Sequence, residues 1–93
     1  MNTWNVFITG RARKQLLRMP ERIQSLFEVA VEDMKREGAA PDGWDVKQIG
    51  ADEFRLRLTY RYRVRYRVRY RVVRPKGTSI EVFYIGHRRN AYR

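Results

Sequence analysis

Cysteine is absent from the 93 residues, which excludes a disulfide framework, a thiolate nucleophile and a thiolate metal site. Such a chain suits a reducing compartment. Histidine occurs once, at His87, so no imidazole pair is available for acid–base work, and a metal site is not expected. No apolar run approaches the roughly 20 residues of a membrane span. The opening MNTWNVFITGRARKQ has no apolar h-region either, and a cytoplasmic protein is expected. Acidic residues are scarce: 10 Asp and Glu stand against 21 Lys and Arg, for a net charge of +11. None of those acids falls between Glu53 and Glu81.

A chain of this length fits one domain, 1–93, with one modest core. TWNVFI (3–8) reads as a first strand and GRARKQLLRM (10–19) as a short helix. Pro20 disfavours helix at Met19 and suits the opening of the next one. In that second helix Ile23, Leu26, Phe27, Ala30, Val31 and Met34 fall on one face, and Gly38 is placed to stop it. The connection 39–52 is rich in turn residues, and Trp44 within it reads as a packing plug. IEVFYIG (80–86) reads as a last strand after a turn at RPKGTS (74–79).

Between them lies RYRVRYRVRYRV (61–72), one four-residue word written three times. From Phe54 to Val72 every even position is apolar or Tyr; every odd position is Arg except Thr59. This is strand periodicity, with one greasy face and one cationic face. Extended from 54 to 73, the run would span about 66 Å at roughly 3.3 Å per residue, against a diameter of about 30 Å for a domain this size. The run must fold back, and its least β-committed point is Thr59–Arg61. Keeping even residues inward on both arms requires an odd-length loop or a bulge there. The implied order is β-α-α-β-β-β, an α+β fold: a small antiparallel sheet with an N-terminal helical hairpin packed on one face.

A segregated cationic face attracts polyanions, and Arg is the stronger bidentate phosphate binder. Nucleic acid is therefore the leading partner class. Within the repeat, six arginines on one face without acids to pair them repel one another, so a polyanion, an acidic partner or counterions must relieve the strain.

The element order, with FRLRL (54–58), a YRVRY unit and the ending IGHRRNAY (85–92), resembles the RelE/ParE superfamily of toxin–antitoxin toxins. The stretch ITGRARKQLLRMPERIQ (8–24) is similar to the N-terminal half of that family. The ending is most similar to the RelE branch. That resemblance implies an endonuclease that cleaves messenger RNA in the ribosomal A site without metal or cofactor, and an acidic antitoxin partner. It implies functional roles for Arg55 and Arg57, for Arg63 or Arg67, and for Arg88 and Tyr92. The repeat itself cannot separate Arg63 from Arg67, because a shift of four restores both letter and facing.

Cleavage of this kind uses the ribose 2′-OH as nucleophile and leaves a 2′,3′-cyclic phosphate. It needs proton removal, stabilisation of charge on phosphorus, and protonation of the 5′ oxygen. Arginine serves the second need and is a poor base, since its pKa lies above about 12. Tyr92, as base or as a stacked ring, and His87 are the titratable candidates. Arg61, Arg65, Arg89 and Lys47 are expected to face RNA or the ribosome. Arg65, Arg69 and Arg71 also read as surplus charge. Two rival readings remain: a ParE-like inhibitor of DNA gyrase, and a membrane-active cationic β segment on anionic lipid.

Overall fold

A computed structural model describes residues 4–71 and 77–87, the stretch 67–71 and residue 77 as backbone. The chain runs β1 (Trp4–Ile8), α1 (Gly10–Leu17), α2 (Glu21–Glu37), β2 (Asp45–Gln48), β3 (Glu53–Arg57), β4 (Tyr62–Arg71) and β5 (Gly77–His87). The strands form one sheet in the order β1-β5-β4-β3-β2, and both helices pack on one of its faces. The α+β architecture agrees with the periodicity, with two corrections. The connection 39–52 contains a strand, β2, paired antiparallel to β3. The sheet is also mixed, because β1 runs parallel to β5.

Local chemistry sets the helix ends. The Thr9 hydroxyl accepts a hydrogen bond from Ala12 N at 3.1 Å and caps α1, satisfying one of its free donors. α1 ends at Leu17, two residues short of the expected limit, as Pro20 approaches. α2 buries Ile23, Phe27, Ala30 and Met34, the positions that repeat on one helical face. It stops at Gly38, whose φ is +92°; a Cβ there would lie 2.6 Å from Cζ2 of Trp4. Only glycine meets both conditions.

The β3–β4 hairpin pairs even with even, Leu56 with Val64 and Phe54 with Tyr66. Its loop is the three residues Thr59, Tyr60 and Arg61, closed by Leu58 N–H donating to Tyr62 O at 2.9 Å. The Thr59 hydroxyl accepts from Arg61 N and Tyr62 N, each at 3.3 Å. The odd-length loop demanded by parity is therefore present. A second parity device sits in β5. Arg65 pairs with Tyr84 and Tyr66 with Val82, so Phe83 is an extra, bulged residue. Because of it Ile80, Val82 and Ile85 all reach the core despite their uneven spacing.

That core joins Leu56, Leu58, Val64, Tyr66, Ile80, Val82 and Ile85 of the sheet to Ala12 of α1 and the four α2 residues. Burial of each large side chain contributes about 1.5–3 kcal/mol. Trp44 packs against its margin and donates Nε1–H to Asp33 Oδ2 at 2.8 Å, a structural plug as read from the sequence. Among the described residues no helix is long and apolar enough to cross a membrane.

Tyr66 is fully buried, stacks on Phe54 at 5.7 Å, and donates its hydroxyl to Ala39 O. Burial pushes its phenol well above the ordinary value, against a smaller opposing pull from Arg55. Below about pH 10 both folded and unfolded chains keep this proton, so it adds no pH dependence. Above that, the unfolded chain releases a proton that the folded one retains, and stability falls. Urea titrations should show Tyr66→Phe costing about 1–2 kcal/mol at pH 7 for the lost hydrogen bond. That deficit should shrink above pH 10.

Candidate nucleic-acid interface

Because parity sends Leu56, Val64 and Tyr66 to the core beneath the helices, the other face of the sheet collects the odd positions of β3 and β4. Cross-strand register arranges them in rows. The first row runs Asp45, Arg57, Arg63, Gly86, and the second Lys47, Arg55, Arg65, Tyr84. In the third row the Cα of Arg67 lies between Glu53 and Glu81, with Phe7 beyond. The first two rows hold five cations and one acid. The third brings two carboxylates.

Arg57 and Arg63 stand directly opposite, as do Arg55 and Arg65, an arrangement that repels unless compensated. The expectation of an acid-free face is corrected, because neighbouring strands supply acids that the repeat lacks. Glu53 Oε2 accepts from Arg65 Nη2 at 2.9 Å. Asp45 Oδ2 lies 3.5 Å from Arg57 Nε and 3.9 Å from Arg55 Nη1. Aromatic rings add further compensation: Arg65 Cζ sits 5.3 Å from the Phe83 ring centre and Arg57 Cζ 6.0 Å from that of Tyr60.

Arg55 is the most strained of the set. It is 6% exposed, and its Nε and Nη1 are buried without a hydrogen-bond partner. Its contact to the half-exposed Asp45 is long. Burying a guanidinium this way is costly, and an anion on the face would offset part of that cost.

The other anticipated residues divide. Lys47 lies exposed in the second row beside Arg55. Arg65 lies in the second row, opposite Arg55. Arg61 leaves the strand for the exposed hairpin loop. His87 pairs with Tyr62, ring centres 5.7 Å apart, on the side of the sheet that carries the helices. Its side chain is thus separated from the arginine rows by the sheet's alternation. The side chains of Arg67, Arg69 and Arg71, and residues Arg88, Arg89 and Tyr92, lie outside what the structure describes.

Four members of the face escaped the sequence reading: Asp45, Glu53, Phe83 and Tyr84. Gly86 has no side chain, and the Tyr84 ring lies across it; a Cβ at Gly86 would come 2.7 Å from Tyr84 Cζ. Burial raises the Tyr84 phenol above its ordinary value, while Arg11 and Arg65 pull it down and are outweighed. Tyr84 is thus a neutral donor at the edge of a cationic field. The signal for Phe83 and Tyr84 was present in the sequence: the apolar spacing changes from two to three between Val82 and Ile85.

A mixed five-stranded sheet with two helices on one face and a cationic open face defines the class. No protein-family model matches the chain, and no curated protein matches it by sequence. Solved structures do. An archaeal RelE–RelB complex from Pyrococcus horikoshii is 25% identical, covering 96% of this chain and 99% of that one, at a TM-score of 0.73. A toxin–antitoxin complex from Mycobacterium tuberculosis is 27% identical, covering 92% and 99%, at 0.67. A YoeB/ParE toxin from Agrobacterium tumefaciens, at 19% identity, shares the fold over 89% and 96%, at 0.71. The chain has the fold of the RelE/YoeB/ParE toxins.

If the Arg55 charge is retained at the expense of stability, Arg55→Met should leave the protein equally stable or more stable. The gain in urea denaturation should be up to about 2 kcal/mol, as when buried charges are replaced by apolar groups of similar size. A marked loss would mean that Arg55 holds the fold together.

Proposed function

We propose that the protein is the toxin of a toxin–antitoxin module and acts as a ribosome-dependent messenger RNA endonuclease. The observation that carries this reading is the pairing of Arg57 with Arg63 in the first row, on the open face. That row lies at the end of the sheet where β5 leads into residues 88–92. The fold supports it, as do neighbours solved as toxin–antitoxin complexes. With a net charge of +11, the antitoxin partner is acidic.

In this mechanism Arg57 and Arg63 grip the scissile phosphate. Their donors gain strength as charge builds on the phosphoryl oxygens. The 2′-oxygen attacks phosphorus, the bond to the 5′ oxygen breaks, and a 2′,3′-cyclic phosphate and a 5′-hydroxyl result. Tyr92 takes the 2′-OH proton, solvent returns one to the 5′ oxygen, and Arg88 adds charge beside the phosphate. Those two roles come from the sequence resemblance. Arg55, lying deeper, acts through its field. Of the two repeat positions Arg63 is chosen over Arg67, because Arg63 lies in the row at the end of the sheet that leads into residues 88–92, and the Cα of Arg67 lies two rows away, between those of Glu53 and Glu81.

Production without an antitoxin should arrest translation, with transcripts cut inside coding regions. In a translating extract Arg57→Ala and Arg63→Ala should each lower cleavage by about 10²-fold or more, and Arg67→Ala should change it little. Intact messages with DNA breaks and filamentous cells would instead assign the protein to the gyrase-inhibitor class, which shares this fold.

A further inference from the structure

Helix α1 with its C-cap residue carries Arg11, Lys14 and Arg18 at i, i+3 and i+7, a single stripe. The helix contains no acid, and none of the three cations joins an ion pair among the described residues. Arg11 stands in the first turn, where the helix dipole disfavours a positive charge. Helix stability therefore does not explain it. With Gly10 and Gln15 the stripe lines a groove of about 590 Å³.

This groove abuts the arginine face. β1 ends at Ile8, and beyond it α1 covers the edge of β5, held there by Gln15 Oε1 accepting Ile85 N–H at 3.0 Å. Gln15 and Arg18 also line a neighbouring cleft of about 330 Å³. Met19, Tyr62, Tyr84 and His87 line it as well. Tyr84 thus belongs to both surfaces: it pairs with Arg65 across β4 and β5, and it lines this cleft with Gln15 and Arg18. The groove offers long cationic side chains and an amide. A protein partner would instead seek a buried aromatic or aliphatic anchor at the centre of its interface. A flexible polyanionic strand needs only charge along its path.

We infer that the α1 groove is a second track for the phosphate backbone of single-stranded RNA, joined to the arginine face over Tyr84. This rests on the RNA reading of that face and extends it: one strand contacts Arg57 and Arg63, crosses the β5 edge, and continues along Arg11, Lys14 and Arg18. The Tyr84 hydroxyl donates to a phosphate oxygen at the crossing.

The test is the salt dependence of binding between the full chain and a fluorescein-labelled 2′-O-methyl RNA, read by anisotropy. Each phosphate contact contributes about 0.7 to the slope of log K against log salt for a single strand. On a strand of roughly 12 nucleotides, Lys14→Gln with Arg18→Gln should flatten the slope by about 1.4, and so should Arg57→Gln with Arg63→Gln. Tyr84→Phe should weaken binding about 2- to 10-fold with little change of slope. On a strand of about 4 nucleotides, too short to span both sites, the α1 pair should have no effect. An unchanged slope for the α1 pair, with the Arg57/Arg63 pair flattened, overturns the second track and leaves the arginine face standing. The reverse pattern keeps the groove as an RNA site and removes the reading of the face. Unchanged slopes in both overturn both. If the α1 pair keeps its RNA slope but loses hold of a co-produced acidic antitoxin, the groove belongs to that protein and the inference falls.

Discussion

Antiparallel strands joined by a loop must agree on which side is inside, and nearly everything here depends on that agreement. Leu56, Val64 and Tyr66 can share a core only because three residues, not two, separate Leu58 from Tyr62. Ile85 can join them only because Phe83 is spare. Once the hydrophobic side is settled by burial, the alternating arginines have one place to go. The charge cluster is therefore a by-product of core formation, sustained by a much larger free energy than the repulsion it creates.

The repulsion is managed unevenly. Glu53 bonds Arg65 directly, while Asp45 stands 3.5 Å from Arg57 and reaches Arg55 only at the limit of an ion pair. By register, the third row holds two carboxylates, Glu53 and Glu81, and the first holds Asp45. The distribution of carboxylates favours an anion at the first-row end of the sheet, which is also where α1 adds its own cations.

Much of this was legible in advance. The periodicity of 54–72 defined two faces, and chain length against domain size forced a hairpin whose parity demanded an odd loop. The α2 stripe and its Gly38 stop were equally plain. Other features were not. DVKQ, residues 45–48, has one inward-facing apolar residue, Val46, and so carries almost no strand signal; its pairing comes from being laid against β3. The parallel seating of β1 beside β5 is a property of tertiary packing that no local pattern encodes. In the candidate site, the arginines were visible as a set, but their counter-charges were not, because Asp45 and Glu53 meet them only across strands. His87 looked chemically apt by residue type, and strand alternation turned it away from the face.

The repeat also bears on how this chain tolerates change in length. A gain or loss of one whole RYRV word moves β4 along its partners by four positions and returns every side chain to an equivalent place. An insertion of one or three residues would turn guanidinium groups into the interior. Tandem duplication of that word is thus a mutation the architecture can absorb in its facing, if not in its partners. What fixes the present alignment is outside the repeat: Thr59 gripping the loop amides, the spare Phe83, and the carbonyl of Ala39, which accepts the Tyr66 hydroxyl.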